Sequence, residues 1–222
     1  PEKVPVVAAP LLKELKSFDP GPGKIYCFKT HQHISPMSPL MRVISPYRDI
    51  RDAILSMQKF IKCSFPQALE HAQLQMDTVD YYHSKDRKLV LPLRYEEITG
   101  TPEKALVKIA EFLQIEVADD TIARIVARYS KSNVENLLSK LESVEVAADG
   151  AVVAAEEEAK EQFQAVPNID TTYRVFDSRT GFQSNHITSG SSGAWRTEMS
   201  EEEQTQMMQV VTPWLEKHGF EL

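Results

Sequence analysis

Apolar and polar positions along the chain follow two periods. From Asp49 onward Ile50, Ala53, Ile54, Met57 and Ile61 recur at helical spacing, with Asp49 and Asp52 where a helix N-terminus favours carboxylates. Residues 66–84 and 119–141 read as two further helices. A helix over "TPEKALVKIAEFL" has Thr101 as N-cap and Pro102 at its first position, with Leu106, Ile109, Ala110 and Leu113 as its buried face. At the C-terminal end Ser200 caps a helix that opens with three glutamates and is expected to break or bend at Pro213. Near the start, "APLLKELKSF" reads as a short helix before the loop "DPGPGK".

Shorter β-branched and aromatic runs read as strands: "KIYCF", "LMRVIS" and "KLVLPLRY", the last interrupted by Pro92. "HISPMSP" is loop, because Pro36 and Pro39 prevent regular structure. Strands alternating with helices predict an α/β domain, three layers with a mainly parallel central sheet flanked by helices, over residues 1–222. Residues 142–166 stand apart in composition. Val144 and Val146 alternate before an Asp149–Gly150 turn and an Ala/Glu-rich run suits a helix, so an insertion or mobile flap is expected there.

Composition narrows the class. The 222 residues are 42% hydrophobic and 26% charged, values of an ordinary globular chain. No apolar run reaches the ~20 residues of a membrane span, and no secretory leader pattern is evident, so a soluble cytoplasmic protein is expected. A net charge of −7 argues against a broad nucleic-acid surface while leaving room for a local anion pocket. Cys27 and Cys63 lie in apolar contexts without metal spacing and read as buried thiols. His31 and His33 lack a third ligand at metal spacing, so no metal is expected.

Two groups of residues carry candidate chemistry. Lys29 and His31 lie two apart just beyond "IYCF", so on a strand they project from one face. A fixed cation beside an imidazole suits transfer of an anionic group to a hydroxyl that must lose its proton. Arg48 ends a strand, and Ser56 follows two turns into the next helix, where α/β folds bind phosphates. Arg48 reads equally well as a surface arginine paired with Asp49 or Asp52.

"FKTH" (28–31), "RDIRDAILS" (48–56), "RYEEI" (94–98), "EFLQI" (111–115) and "SGSSGAWR" (189–196) occur in the order found in one family. Together they resemble the sulfotransferases that use 3′-phosphoadenosine 5′-phosphosulfate (PAPS). The resemblance implies a P-loop-nucleotide-hydrolase-like sulfotransferase fold. It implies transfer of a sulfuryl group to a hydroxyl or amine, with 3′,5′-adenosine bisphosphate (PAP) as product and no metal. By motif position, His31 would be the general base and Lys29 would steady the transferring group. Arg48 and Ser56 would hold the donor's 3′-phosphate, Tyr95 would lie near its adenine, and Ser189 and Gly190 would belong to the loop that closes over that phosphate.

The acceptor is expected to be a small molecule or carbohydrate, met in a cleft walled by "HQHISPMSP" with residues 142–166 as a further candidate wall; Met37, Tyr81, Tyr82 and Phe163 are candidate liners that ordinary packing explains better. Neither nucleic acid nor a membrane span is expected, and the Met/Val-rich C-terminal helix leaves a homo-oligomer open.

Two departures from the family pattern matter. The Gly/Ser/Thr loop that wraps the 5′-phosphosulfate has no counterpart in the sequence, and Thr188–Ser189 stand where many members carry Arg-Lys. We expect the chain to be the larger part of a longer enzyme. Supply of the loop by a partner chain is one alternative; a non-catalytic relative that binds or responds to 3′-phosphoadenosine nucleotides is the other.

Overall fold

A computed structural model describes residues 27, 29–30, 33–153, 161–184 and 192–222. The expected helix before residue 24 and most of "KIYCF" fall outside them. The chain divides into two compact units, residues 1–47 with 73–116 and residues 48–72 with 117–222.

The first unit contains a parallel strand pair, β1 (Val43–Tyr47) and β2 (Val90–Arg94), in register from Val43↔Val90 to Tyr47↔Arg94. Parallel strands need a long crossover, here supplied by two helices, α1 (Ile50–Ile61) and α2 (Phe65–His83). β2 runs unbroken through Pro92, against the expected interruption. Val43 N–H donates to Leu89 C=O (2.8 Å), which sets residues 89, 91 and 93 toward β1 and turns Pro92 away from it. The donor that proline lacks is therefore not required by this ladder.

Val90 and Leu93 are fully buried. β2 packs on α3 (Tyr95–Gly100) and α4 (Pro102–Leu113). Thr101 and Pro102 stand where expected, yet the Thr101 hydroxyl donates back to Glu97 C=O (3.3 Å) instead of capping α4. Ala105 is the buried residue of α4, and the four positions expected to be buried are only half so.

In the second unit α1 packs against α7 (Trp195–Glu198) and α8 (Glu201–Lys217). α8 is continuous through Pro213, with no break there. Its Met207, Val211, Trp214 and Leu215 lie at i, i+4, i+7 and i+8 and are buried, so the Met/Val-rich face is core. Ser200 forms a full capping box: its hydroxyl accepts from Glu203 N–H (3.2 Å), while the Glu203 carboxylate accepts from Ser200 N–H (3.0 Å).

Ser200→Ala is expected to cost about 1 kcal/mol in urea unfolding. The Ser200 backbone N–H, first among several donors, holds the Glu203 carboxyl below its ordinary range. A lowered folded-state value means this contribution is present above the free glutamate range and fades as pH falls through it, below roughly pH 4. Alanine keeps that backbone N–H, so only the part of the parent–variant difference owed to the bond from the Ser200 hydroxyl to the Glu203 carboxylate (3.0 Å) should shrink on acidification.

The helix expected over 119–141 is two helices, α5 (Asp119–Arg128) and α6 (Lys131–Glu142), because the chain turns at Tyr129–Ser130. A short antiparallel pair, β3 (Glu145–Val146) with β4 (Val152–Val153), forms the hairpin expected at Asp149–Gly150. Gly150 takes φ +84°, a conformation that glycine adopts without strain. β5 (Phe163–Pro167) and β6 (Tyr173–Asp177) form a second antiparallel pair. Val134, Leu138, Leu141 and Val175 make a cluster against which Val144, Val146, Phe163 and Phe182 pack. The helix expected from the Ala/Glu-rich run falls on residues outside those described.

Cys63 is buried, and burial pushes its thiol upward, as suits an inert core residue. Cys27 is exposed, against the expected buried thiol, and the described residues 29 and 30 that follow it belong to no strand. Among the described residues no helix is long and apolar enough to cross a membrane.

Candidate active site

Arg48 precedes Asp49, the N-cap residue that fixes the N-terminus of α1. The Asp49 carboxylate accepts from Arg51 N–H (3.0 Å) and from the Arg51 guanidinium at Nε (2.9 Å) and Nη2 (2.7 Å). Arg51 is almost fully buried, lies 4.5 Å from the centre of the Trp195 ring, and also donates to Glu221 C=O. Asp49 is thus occupied by Arg51, and of the two pairings expected for Arg48 the one with Asp52 is formed, at 3.9 Å.

Asp52 and Ser56 stand four residues apart on one face of α1, and Arg48 reaches Asp52 from the segment that precedes the helix. Asp52 is 4% exposed as a side chain while Arg48 is 25% exposed. Besides the ion pair, the Asp52 carboxylate accepts from Gly193 N–H (2.8 Å) and Trp195 N–H (3.4 Å). These donors lie on the segment that follows the glycine-rich loop. Gly193 has φ +84°, and a Cβ there would stand 3.0 Å from Arg196 Nη1, so the turn calls for glycine. Arg196 in turn lies 4.5 Å over the Trp195 ring. Arg48 pairs with Asp52 and Arg51 with Asp49, while Arg51 and Arg196 each lie 4.5 Å from the centre of the Trp195 ring.

The arrangement fits an anion at the start of α1: a partly exposed guanidinium, a hydroxyl on the helix face of Asp52, and a glycine turn tied to that face by the buried carboxylate. From the sequence Asp52 reads only as a helix-start carboxylate and a partner for Arg48, and Gly193 and Trp195 only as members of the motif 189–196, none of them as a site residue. The signal that would have found Asp52 is the four-residue repeat Arg48–Asp52–Ser56; nothing local marks the long-range bonds to residues 193 and 195.

The other expected site residues stand as follows. Lys29 is exposed and belongs to no strand. Tyr95 is half-buried and opens α3 directly after β2. Both belong to the first unit, whereas Arg48 and Ser56 belong to the second. His31, Ser189 and Gly190 lie outside the described residues. Among the described residues no cluster of three or more histidine, cysteine or carboxylate groups is placed to hold a metal ion.

The family model described as "Sulfotransferase domain" matches residues 24–146, more than half of the chain. The chain belongs to the sulfotransferase domain family. No curated protein matches it in sequence. Solved structures agree in fold. The chain is similar to the mouse sulfotransferase SULT7A1 complexed with PAP, with TM-score 0.58 and 20% identity over 91% of this chain and 68% of that one. It is similar also to retinol dehydratase in complex with androsterone and inactive cofactor PAP, with TM-score 0.58 and 20% identity over 94% of this chain. A third, retinol dehydratase with retinol and PAP, aligns at TM-score 0.55 and 20% identity over 91% of this chain. The chain spans 57% and 56% of the length of these two retinol dehydratase chains. The fold is the α/β sulfotransferase fold, and Lys29, Arg48, Ser56 and Tyr95 all lie within the matched residues.

Proposed function

We propose that this sulfotransferase-family chain transfers a sulfuryl group from PAPS to the hydroxyl or amine of a small-molecule or carbohydrate acceptor. PAPS supplies the activated sulfuryl group, whose bond to the 5′-phosphate oxygen breaks as the acceptor atom bonds to sulfur. That bond's electron pair leaves with PAP. His31 takes the acceptor's proton, and Lys29 steadies the negative charge on the group in transit. Arg48 and Ser56 hold the 3′-phosphate, Tyr95 lies against the adenine, and Ser189 and Gly190 belong to the loop that closes over the phosphate. The work of the protein is mainly to place the reactants and balance charge.

The observation that carries this reading is the buried Asp52 carboxylate, which joins Arg48 to the backbone at Gly193 and Trp195. It ties the residue expected at the 3′-phosphate to the segment that follows the expected phosphate loop. Family membership supports the reaction type, and the PAP complexes of the structural neighbours support the donor. Retinol dehydratase has been crystallised with androsterone and with retinol, which supports a small-molecule acceptor.

The test is transfer of ³⁵S from labelled PAPS to pooled alcohols, phenols, amines and carbohydrates by the protein at full length. Labelled product in at least one pool, absent without protein, is the expected result. PAP binding with no labelled product in any pool would instead favour the non-catalytic nucleotide-binding relative.

A further inference from the structure

Arg51 is a charged residue in a place where charges are seldom found. It is 1% exposed, stands in the first turn of α1, and draws its partners from three separate stretches of the second unit. Its guanidinium donates to both oxygens of the Asp49 carboxylate, through Nε at 2.9 Å and 3.2 Å and through Nη2 at 2.7 Å. Nη2 also donates to Glu221 C=O, and the guanidinium carbon lies 4.5 Å from the centre of the Trp195 ring. Trp195 N–H in turn donates to the Asp52 carboxylate, the partner of Arg48. Asp49 is the neighbour of Arg48 in the chain, and its side chain is 16% exposed.

We propose that Arg51 is a positioning residue for the 3′-phosphate site: by occupying both oxygens of Asp49 it keeps this carboxylate from competing with the phosphate for Arg48. The proposal rests on the sulfotransferase reading above. Adjacent Cα atoms are about 3.8 Å apart, so an unbalanced Asp49 carboxylate would act on Arg48 within the ~8 Å over which charges are felt at physiological salt. It would repel a phosphate there and draw the Arg48 guanidinium toward itself. Asp52 does not compete in the same way, since its carboxylate is shared among Arg48 and the N–H groups of Gly193 and Trp195. Arg51 is too deeply buried to meet the phosphate itself, so its effect passes through Asp49 and Arg48.

Calorimetric titration with PAP and with 5′-AMP tests it in the whole protein, comparing the parent, Arg51→Met, Asp49→Asn, the double variant Asp49→Asn/Arg51→Met, and Arg48→Ala. Methionine fills much of the space of the arginine stem without its charge, and asparagine keeps an N-cap while removing the carboxylate. Arg51→Met is expected to weaken PAP by about 3- to 30-fold and 5′-AMP by less than about twofold. Adding Asp49→Asn to Arg51→Met should recover most of that loss. A role in the fold alone predicts a lower Tm with equal losses for the two nucleotides, and no recovery by Asp49→Asn; either result overturns the proposal. Should Arg51→Met not fold, Arg51→Gln, which keeps a side-chain donor, carries the same comparison. A parental preference for PAP in the folded Arg51 variants, together with its loss in Arg48→Ala, overturns the proposal and leaves the sulfotransferase reading intact. Equal affinity of the parent for the two nucleotides, or a preference that persists in Arg48→Ala, overturns the assigned phosphate site and the proposal with it.

Discussion

Replacing His31 by alanine is expected to lower kcat for sulfuryl transfer by about 10²- to 10⁴-fold, the contribution of a well-placed general base, with PAP binding unchanged. An acceptor hydroxyl becomes acidic as it bonds to sulfur, and without a base it must shed its proton to water. PAP binding should survive because, in the reading proposed above, Arg48 and Ser56 hold the 3′-phosphate without the imidazole. Small imidazoles added to the buffer should restore part of the lost rate if the missing group is a base. Single-turnover measurements with labelled PAPS check both points. A variant with parental kcat removes His31 from the mechanism.

Asp52→Ala is expected to lower stability by roughly 2–4 kcal/mol, somewhat less than a fully buried broken ion pair because Arg48 is partly solvated. The carboxylate meets Gly193 N–H at 2.8 Å, Trp195 N–H at 3.4 Å and the Arg48 guanidinium at 3.9 Å, and alanine replaces none of these. At roughly 2–4 °C per kcal/mol for a chain of this size, Tm should fall by about 5–15 °C. Affinity for PAP should fall as well, since Arg48 and the segment after the loop lose their common anchor. Asp52→Asn keeps one carbonyl acceptor and should lose about half as much stability. Urea unfolding of the three proteins checks the order. Equal stability for parent and Asp52→Ala would show that Asp52 is not the anchor described here.

The periodic parts of the fold were legible in the sequence. The helix from Ile50, the strand ahead of Arg48, the Pro102 helix start, the Asp149–Gly150 hairpin and the Ser200 cap are all observed. Each depends on local spacing or on one residue's preference, which a sequence displays directly. Proline was over-read at two positions. Pro92 lies where its ladder needs no donor on that side, and α8 continues through Pro213. The break at Tyr129–Ser130 was missed, since apolar spacing runs on across it.

For the site, motif order pointed to Arg48 and Ser56, and the pairing of Arg48 with Asp52 stood among the readings considered. That reading put Asp52 at the surface, and Arg51 was legible only as a charge on a helix, since charges are ordinarily exposed. Their burial follows from Trp195, Gly193 and Glu221, all far along the chain, so it is set by tertiary packing alone.

The central claim is that the start of α1 binds the donor's 3′-phosphate through Arg48. Calorimetric titration of the protein with PAP and with 5′-AMP, repeated on Arg48→Ala, tests it most directly. The account predicts that PAP binds at least tenfold more tightly than 5′-AMP, a difference of about 1.4 kcal/mol, and that Arg48→Ala removes this preference. Equal affinity of the parent for the two nucleotides, or a preference that persists in Arg48→Ala, would contradict it.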